Sequence, residues 1–86
     1  MDKDWNGALV KYEAAAQMAR EFAPPVSRNI EIGEALRGKG YVLVELGRLE
    51  EAEATYKECL AINAADKSAM GELKYVQSRL AQRKPS

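Results

Sequence analysis

The chain has 86 residues, thirteen Lys and Arg against thirteen Asp and Glu, and no histidine. That length suits one small domain. The zero net charge removes the usual electrostatic reason for a nucleic-acid or anionic-membrane partner, and the missing histidine removes the commonest metal ligand and general base. A single cysteine, Cys59, forbids an intramolecular disulfide. The polar start Met1-Asp2-Lys3-Asp4 lacks the basic and then apolar pattern of a secretory signal. The longest apolar runs are too short to cross a bilayer, so a cytoplasmic location is expected.

Proline and glycine divide the sequence into four helical segments. The first is expected over about 5–22, with Asp4 as N-cap, because its carboxylate can accept from the free N–H groups of the first turn. Trp5, Ala8, Leu9, Tyr12, Ala15, Ala16 and Ala19 recur at the three-to-four spacing of one helical stripe. Pro24-Pro25 stops it, since Pro25 has no N–H and Pro24 is pushed out of the helical region. A second helix is expected over about 28–46, capped by Ser27 or Asn29. Gly38 and Gly40 lie inside it, each costing about 1 kcal/mol relative to alanine, which points to another backbone packed close. Gly47 ends this helix, because glycine adopts the left-handed C′ conformation without a steric penalty.

The third helix is expected over about 49–62, burying Leu49, Ala52, Tyr56, Cys59 and Leu60. Asn63-Ala64-Ala65 breaks it, and Asp66 caps a fourth helix over about 67–83 with the stripe Met70, Leu73, Tyr75, Val76 and Leu80. The tail Lys84-Pro85-Ser86 is expected to fray. No segment alternates as a strand does, which predicts an all-α fold in a single domain spanning 1–86. The short connections after Leu46 and Ile62 predict antiparallel neighbours.

The chain also resembles itself. A shift of 34 residues lays Ala35, Leu36, Tyr41, Val42 and Leu46 on Ala69, Met70, Tyr75, Val76 and Leu80. A shift of 44 lays Ala8, Tyr12, Ala15 and Met18 on Ala52, Tyr56, Cys59 and Ile62. Self-similarity at such periods is a mark of stacked helix pairs. The residues from Gly33 to Asp66, with Gly40, the turn glycine Gly47, and Ala52 followed by Tyr56 and Cys59, resemble one full tetratricopeptide repeat. The run Glu45-Leu46-Gly47-Arg48-Leu49-Glu50-Glu51-Ala52 is similar to the family's inter-helix turn. Leu36, Lys39, Leu43 and Ala64 depart from the family's usual tryptophan, leucine, tyrosine and proline. The longer first step, which contains Pro24-Pro25, resembles the family's long-repeat variants.

The resemblance implies an antiparallel helix-turn-helix α-solenoid fragment of about four helices, with one full repeat at 33–66 and flanking half-repeats. Each pair then leaves one apolar face uncovered, so stability depends on stacking. It also implies a protein-interaction module that holds a peptide or helix in a concave groove. Carried over by position, the groove residues are Glu34, Arg37, Tyr41, Val44 and Glu45 from the second helix, and Ser68, Glu72, Tyr75 and Arg79 from the fourth. Arg37 suits one basic position of the family's carboxylate clamp, but Tyr41 stands where that clamp uses asparagine, which argues against binding a chaperone tail. The alternative is a structural role, in which the stacking faces pair into a homodimer.

Chemistry finds little support. Cys59 has no histidine to activate it and reads as a small packing residue. Glu50, Glu51 and Glu53 could attract a hard cation, but acidic residues at a helix N-terminus also complement the dipole. Gly38-Lys39-Gly40 lacks the remainder of a phosphate-loop motif. Lys74, Arg79, Arg83 and Lys84 read as a solvated face near a helix C-terminus. The expectation is a non-enzyme with no cofactor and no metal site, whose partner is a protein or peptide rather than nucleic acid or membrane.

Overall fold

The computed structural model describes residues 4–83; the expected fraying of Lys84-Pro85-Ser86 lies outside the described residues. It contains four helices: α1 (Trp5–Phe22), α2 (Arg28–Glu45), α3 (Leu49–Ile62) and α4 (Lys67–Arg83). No strand occurs among the described residues, so the all-α class expected from the sequence is observed. Each helix packs chiefly on its neighbours in the chain, and the Cα trace measures 47 × 34 × 17 Å.

Local chemistry accounts for the helix ends. Asp4 Oδ1 accepts from the Gly7 amide at 2.8 Å and caps α1. Ala23 then turns extended at ψ 141°, and Arg28 reaches back to donate twice to its carbonyl, at 3.2 and 3.0 Å. Ser27 precedes α2 without capping it through its side chain. Its backbone is already helical (φ −116°, ψ −2°), and its hydroxyl donates instead to the Glu31 carboxylate at 2.7 Å. Asn29, the other expected cap, lies inside the helix.

The end of α2 is a Schellman motif: Arg48 N–H donates to Leu43 O at 2.8 Å and Gly47 N–H to Val44 O at 3.0 Å. Gly47 carries the required positive φ of 77°. At the next turn Ala65 N–H donates to Asn63 Oδ1 at 3.1 Å, and Asp66 Oδ1 accepts from Ala69 N–H at 3.0 Å to cap α4.

Side-chain pairs fix the helix directions. Trp5, at the start of α1, meets Tyr41 near the end of α2, edge to face with centroids 5.8 Å apart. Cys59, late in α3, donates to the carbonyl of Gly33, early in α2. Arg83, at the end of α4, meets Glu50 at the start of α3 at 3.2 Å. Consecutive helices therefore run antiparallel. Arg20 of α1 pairs with Glu58 of α3, an exposed ion pair between helices that are not neighbours in the chain.

The core is densest where α2 meets α3. Tyr56 is 1% exposed and is the largest fully buried side chain. Its ring lies against Gly40, where an added Cβ would come within 2.5 Å of it. Leu36, Val42, Leu43, Leu49, Ala52 and Cys59 are buried in the same cluster. The outer helices bury less than their stripes suggest. In α1, Tyr12 and Ala15 are exposed and only Leu9, Ala16 and Ala19 are buried. In α4, Met70 and Tyr75 are exposed and only Ala69 and Val76 are buried. Leu60, on α3, is half-buried. The outer helices fall short because each has a packed neighbour chiefly on one side, so part of each apolar stripe stays in water.

The glycines give a direct test. Gly71 has nothing within 4 Å of an added Cβ, so Gly71→Ala should stabilise the chain by about 1 kcal/mol through helix propensity. Gly40→Ala makes the same backbone gain but overpacks the immobile Tyr56 ring, and should cost a net ~1–2 kcal/mol. Urea denaturation of the two variants reads both signs.

Candidate binding surface

The residues placed in the groove by resemblance occupy exposed or half-buried positions on α2 and α4. On α2, Glu34, Tyr41 and Glu45 are exposed, while Arg37 and Val44 are half-buried. Their spacing of three to four residues puts Glu34, Arg37, Tyr41 and Glu45 on one side of the helix. On α4, Ser68, Glu72, Tyr75 and Arg79 are exposed and share a side in the same way.

Two of these side chains are held by contacts that sequence reasoning missed. Tyr41 rests edge-on against Trp5 of α1, which orients its ring. Arg37 donates to Asp66 Oδ2 at 2.6 Å, and so ties α2 to the first turn of α4. Within α4, Arg79 donates to the Tyr75 hydroxyl at 2.8 Å.

Asp66 is a hub. Its side chain is only 8% exposed. Oδ1 takes the Ala69 amide, and Oδ2 takes Arg37 and the Cys59 thiol, the last at 3.6 Å. The amide of Ala69 and the guanidinium of Arg37 hold this carboxyl below the ordinary aspartate value, against the opposing effect of desolvation. Arg37 is raised in return, chiefly by its hydrogen bond to Asp66. Cys59, 1% exposed, is raised, first by burial and then by the Asp66 charge. A buried thiol kept protonated is a poor nucleophile.

The other chemical candidates are tied into the helix surface. Glu50 pairs with Arg83, Glu51 with Arg48 and Glu53 with Lys57. Among the described residues no group of three or more acidic, cysteine or histidine side chains could hold a metal ion. Gly38 and Gly40 face the rings of Tyr12 and Tyr56, and Lys39 faces Glu13 at 3.4 Å, so Gly38-Lys39-Gly40 is helix packing rather than a loop. Of the basic set, Arg79 lies on Tyr75 and Arg83 on Glu50, and Lys84 falls outside the described residues. No described helix is long and apolar enough to cross a membrane.

A second surface lies on the exposed side of α1. A groove of about 620 Å³ opens between α1 and α2, with Tyr12, Met18 and Phe22 on one wall and Glu31, Glu34 and Ala35 on the other. Met18 and Phe22 are 61% and 75% exposed. The signal was present in the sequence, since Met18 and Phe22 are large apolar residues at the edge of the α1 stripe.

Compared with protein-family models, curated proteins and solved structures, the chain matches none.

The Asp66 hub makes stability acid-sensitive. The carboxyl is lowered in the folded chain from the ordinary value of 3.8, so the stability it contributes is complete above that pH and is lost as pH falls through the lower folded value. Asp66→Asn retains a capping side chain but not the charge, and should cost about 1 kcal/mol and flatten the acid loss. Asp66→Ala removes the cap and the ion pair together, and should cost ~2–3 kcal/mol. Urea titrations between neutral and acid pH check both.

Proposed function

We infer that the chain is a protein-interaction module of the tetratricopeptide-repeat type, holding a peptide or helix against the face formed by α2 and α4. One observation carries this reading. Tyr41 and Tyr75, which coincide under the 34-residue shift, are 48% and 47% exposed. Rings used only to pack helices would be buried, as Tyr56 is. Two tyrosines presented equally from repeat-equivalent positions suit a partner that spans both helices.

Their surroundings favour binding. Trp5 steadies Tyr41 and Arg79 steadies Tyr75, so little side-chain freedom is lost on contact. Tyrosine and arginine are frequent anchors at interfaces. Because Arg37 is already paired with Asp66, the unsatisfied charge around the rings is mostly that of Glu34, Glu45 and Glu72. The face therefore suits a peptide with basic side chains flanking an apolar residue. Catalysis has no place in this reading, since the lone thiol is buried and kept protonated.

Peptides selected from a random display library on the immobilised chain test the proposal. The double substitution Tyr41→Ala/Tyr75→Ala should weaken the selected peptides at least tenfold, as expected when interface anchors are truncated, while the melting temperature stays within a few degrees because both rings are half exposed. Selected peptides that bind the double variant as tightly as the parent chain would sink the assignment.

A further inference from the structure

The two repeat shifts set one seam of the molecule against another. Where α3 turns into α4, α2 covers the seam through three small or basic positions on one side of the helix. Gly40 receives the Tyr56 ring, Gly33 O accepts from Cys59 Sγ at 3.6 Å, and Arg37 pairs with Asp66 at 2.6 Å. Under the shifts, Tyr56, Cys59 and Ile62 correspond to Tyr12, Ala15 and Met18, and Ser68 and Ala69 correspond to Glu34 and Ala35. Those five equivalents all line the open groove between α1 and α2. The covered seam has its repeat partner in an uncovered one.

We propose that the α1/α2 groove is a docking site for an amphipathic helix of a partner protein, one that presents small residues to Tyr12 and a basic residue to Glu31 and Glu34. The covered seam supplies the template for the small positions, since Gly40 of α2 admits Tyr56 and Tyr12 is the equivalent of Tyr56. The basic position is set by the groove itself, because Ile32 stands at the equivalent of Asp66 and the acidic groups there are Glu31 and Glu34. The groove is apolar along its α1 wall and acidic along its α2 wall, with Glu31 and Glu34 both exposed. Removing Met18 and Phe22 from water supplies the driving force, and the glutamates select a helix with a basic residue facing them over one without.

The chain's own α4 is a poor occupant for a second copy. At the positions equivalent to Gly33, Leu36, Arg37 and Gly40 it carries Lys67, Met70, Gly71 and Lys74. Lys74 would bring a Cβ and a long side chain to the point where α2 needs a glycine to admit a tyrosine ring. Head-to-tail stacking of identical chains is thereby blocked at its closest contact. The inference rests on the repeat equivalence and the groove, which shares only Glu34 with the Tyr41/Tyr75 face.

The probe is a fluorescein-labelled synthetic peptide with the α2 sequence Arg28–Glu45, titrated with the full chain and followed by anisotropy. Saturable binding is expected. Met18→Glu and Glu31→Lys, both at exposed positions, should each weaken it at least tenfold with unchanged helical circular dichroism, and a peptide carrying Leu in place of Gly33 and Gly40 should not bind. The Tyr41→Ala/Tyr75→Ala variant should bind the probe like the parent, which separates this groove from the other face. Three results overturn the proposal. One is no saturation at about 1 mM chain, the weak limit of specific affinity. Another is equal binding by Met18→Glu, which would mean exchange with the chain's own α2. The third is a dimer in light scattering that Met18→Glu converts to monomer, which would give the groove to a second copy.

Discussion

The contact on which the molecule depends is the Tyr56 ring seated on Gly40. It is a close approach that only a residue without a side chain permits. By letting α3 lie near α2, it buries the largest side chain of the core and closes Leu36, Val42, Leu43 and Ala52 around it. A glycine in mid-helix costs backbone stability, and here the cost is offset by packing that no other residue allows. The two helices joined by this contact bury more residues than the two outside it.

Asp66 performs a second organising task with polar groups. One carboxylate caps α4, ties down Arg37 of α2 and accepts from Cys59 of α3. Three helices thus meet at a single side chain that is nearly removed from solvent. A buried charge is costly unless it is paired and hydrogen-bonded, and this one is both. It also offsets the Arg37 charge, leaving the side of α2 around Tyr41 more acidic than a count of its residues suggests.

The outer helices lack these advantages. With a packed neighbour chiefly on one side, α1 and α4 leave large apolar groups in water. The two ends are unlike. Exposed apolar residues gather on and after α1, at Val10, Met18, Phe22, Val26 and Ile30, whereas α4 carries Lys67, Glu72, Lys74, Gln77 and Arg83 at its surface. A chain of zero net charge therefore has one end suited to further packing and one suited to water.

Much of the fold was legible in the sequence. Periodicity, capping residues and breakers are local, so four helices and an all-α class follow from properties within a few residues of one another, as Asp4, Gly47 and Asp66 illustrate. Ser27 was misread as a side-chain cap because capping depends on a backbone angle that residue type does not reveal. Tyr12 and Met70 lie on apolar stripes yet are exposed, because an amphipathic stripe shows which side of a helix is apolar, not whether a neighbour covers it. Only the tertiary structure decided that Arg37 is spent on Asp66, that Trp5 props Tyr41, and that Met18, Phe22, Glu31 and Glu34 share a groove. Each of these joins residues from different parts of the chain, and such distances are set by helix packing rather than by helix formation.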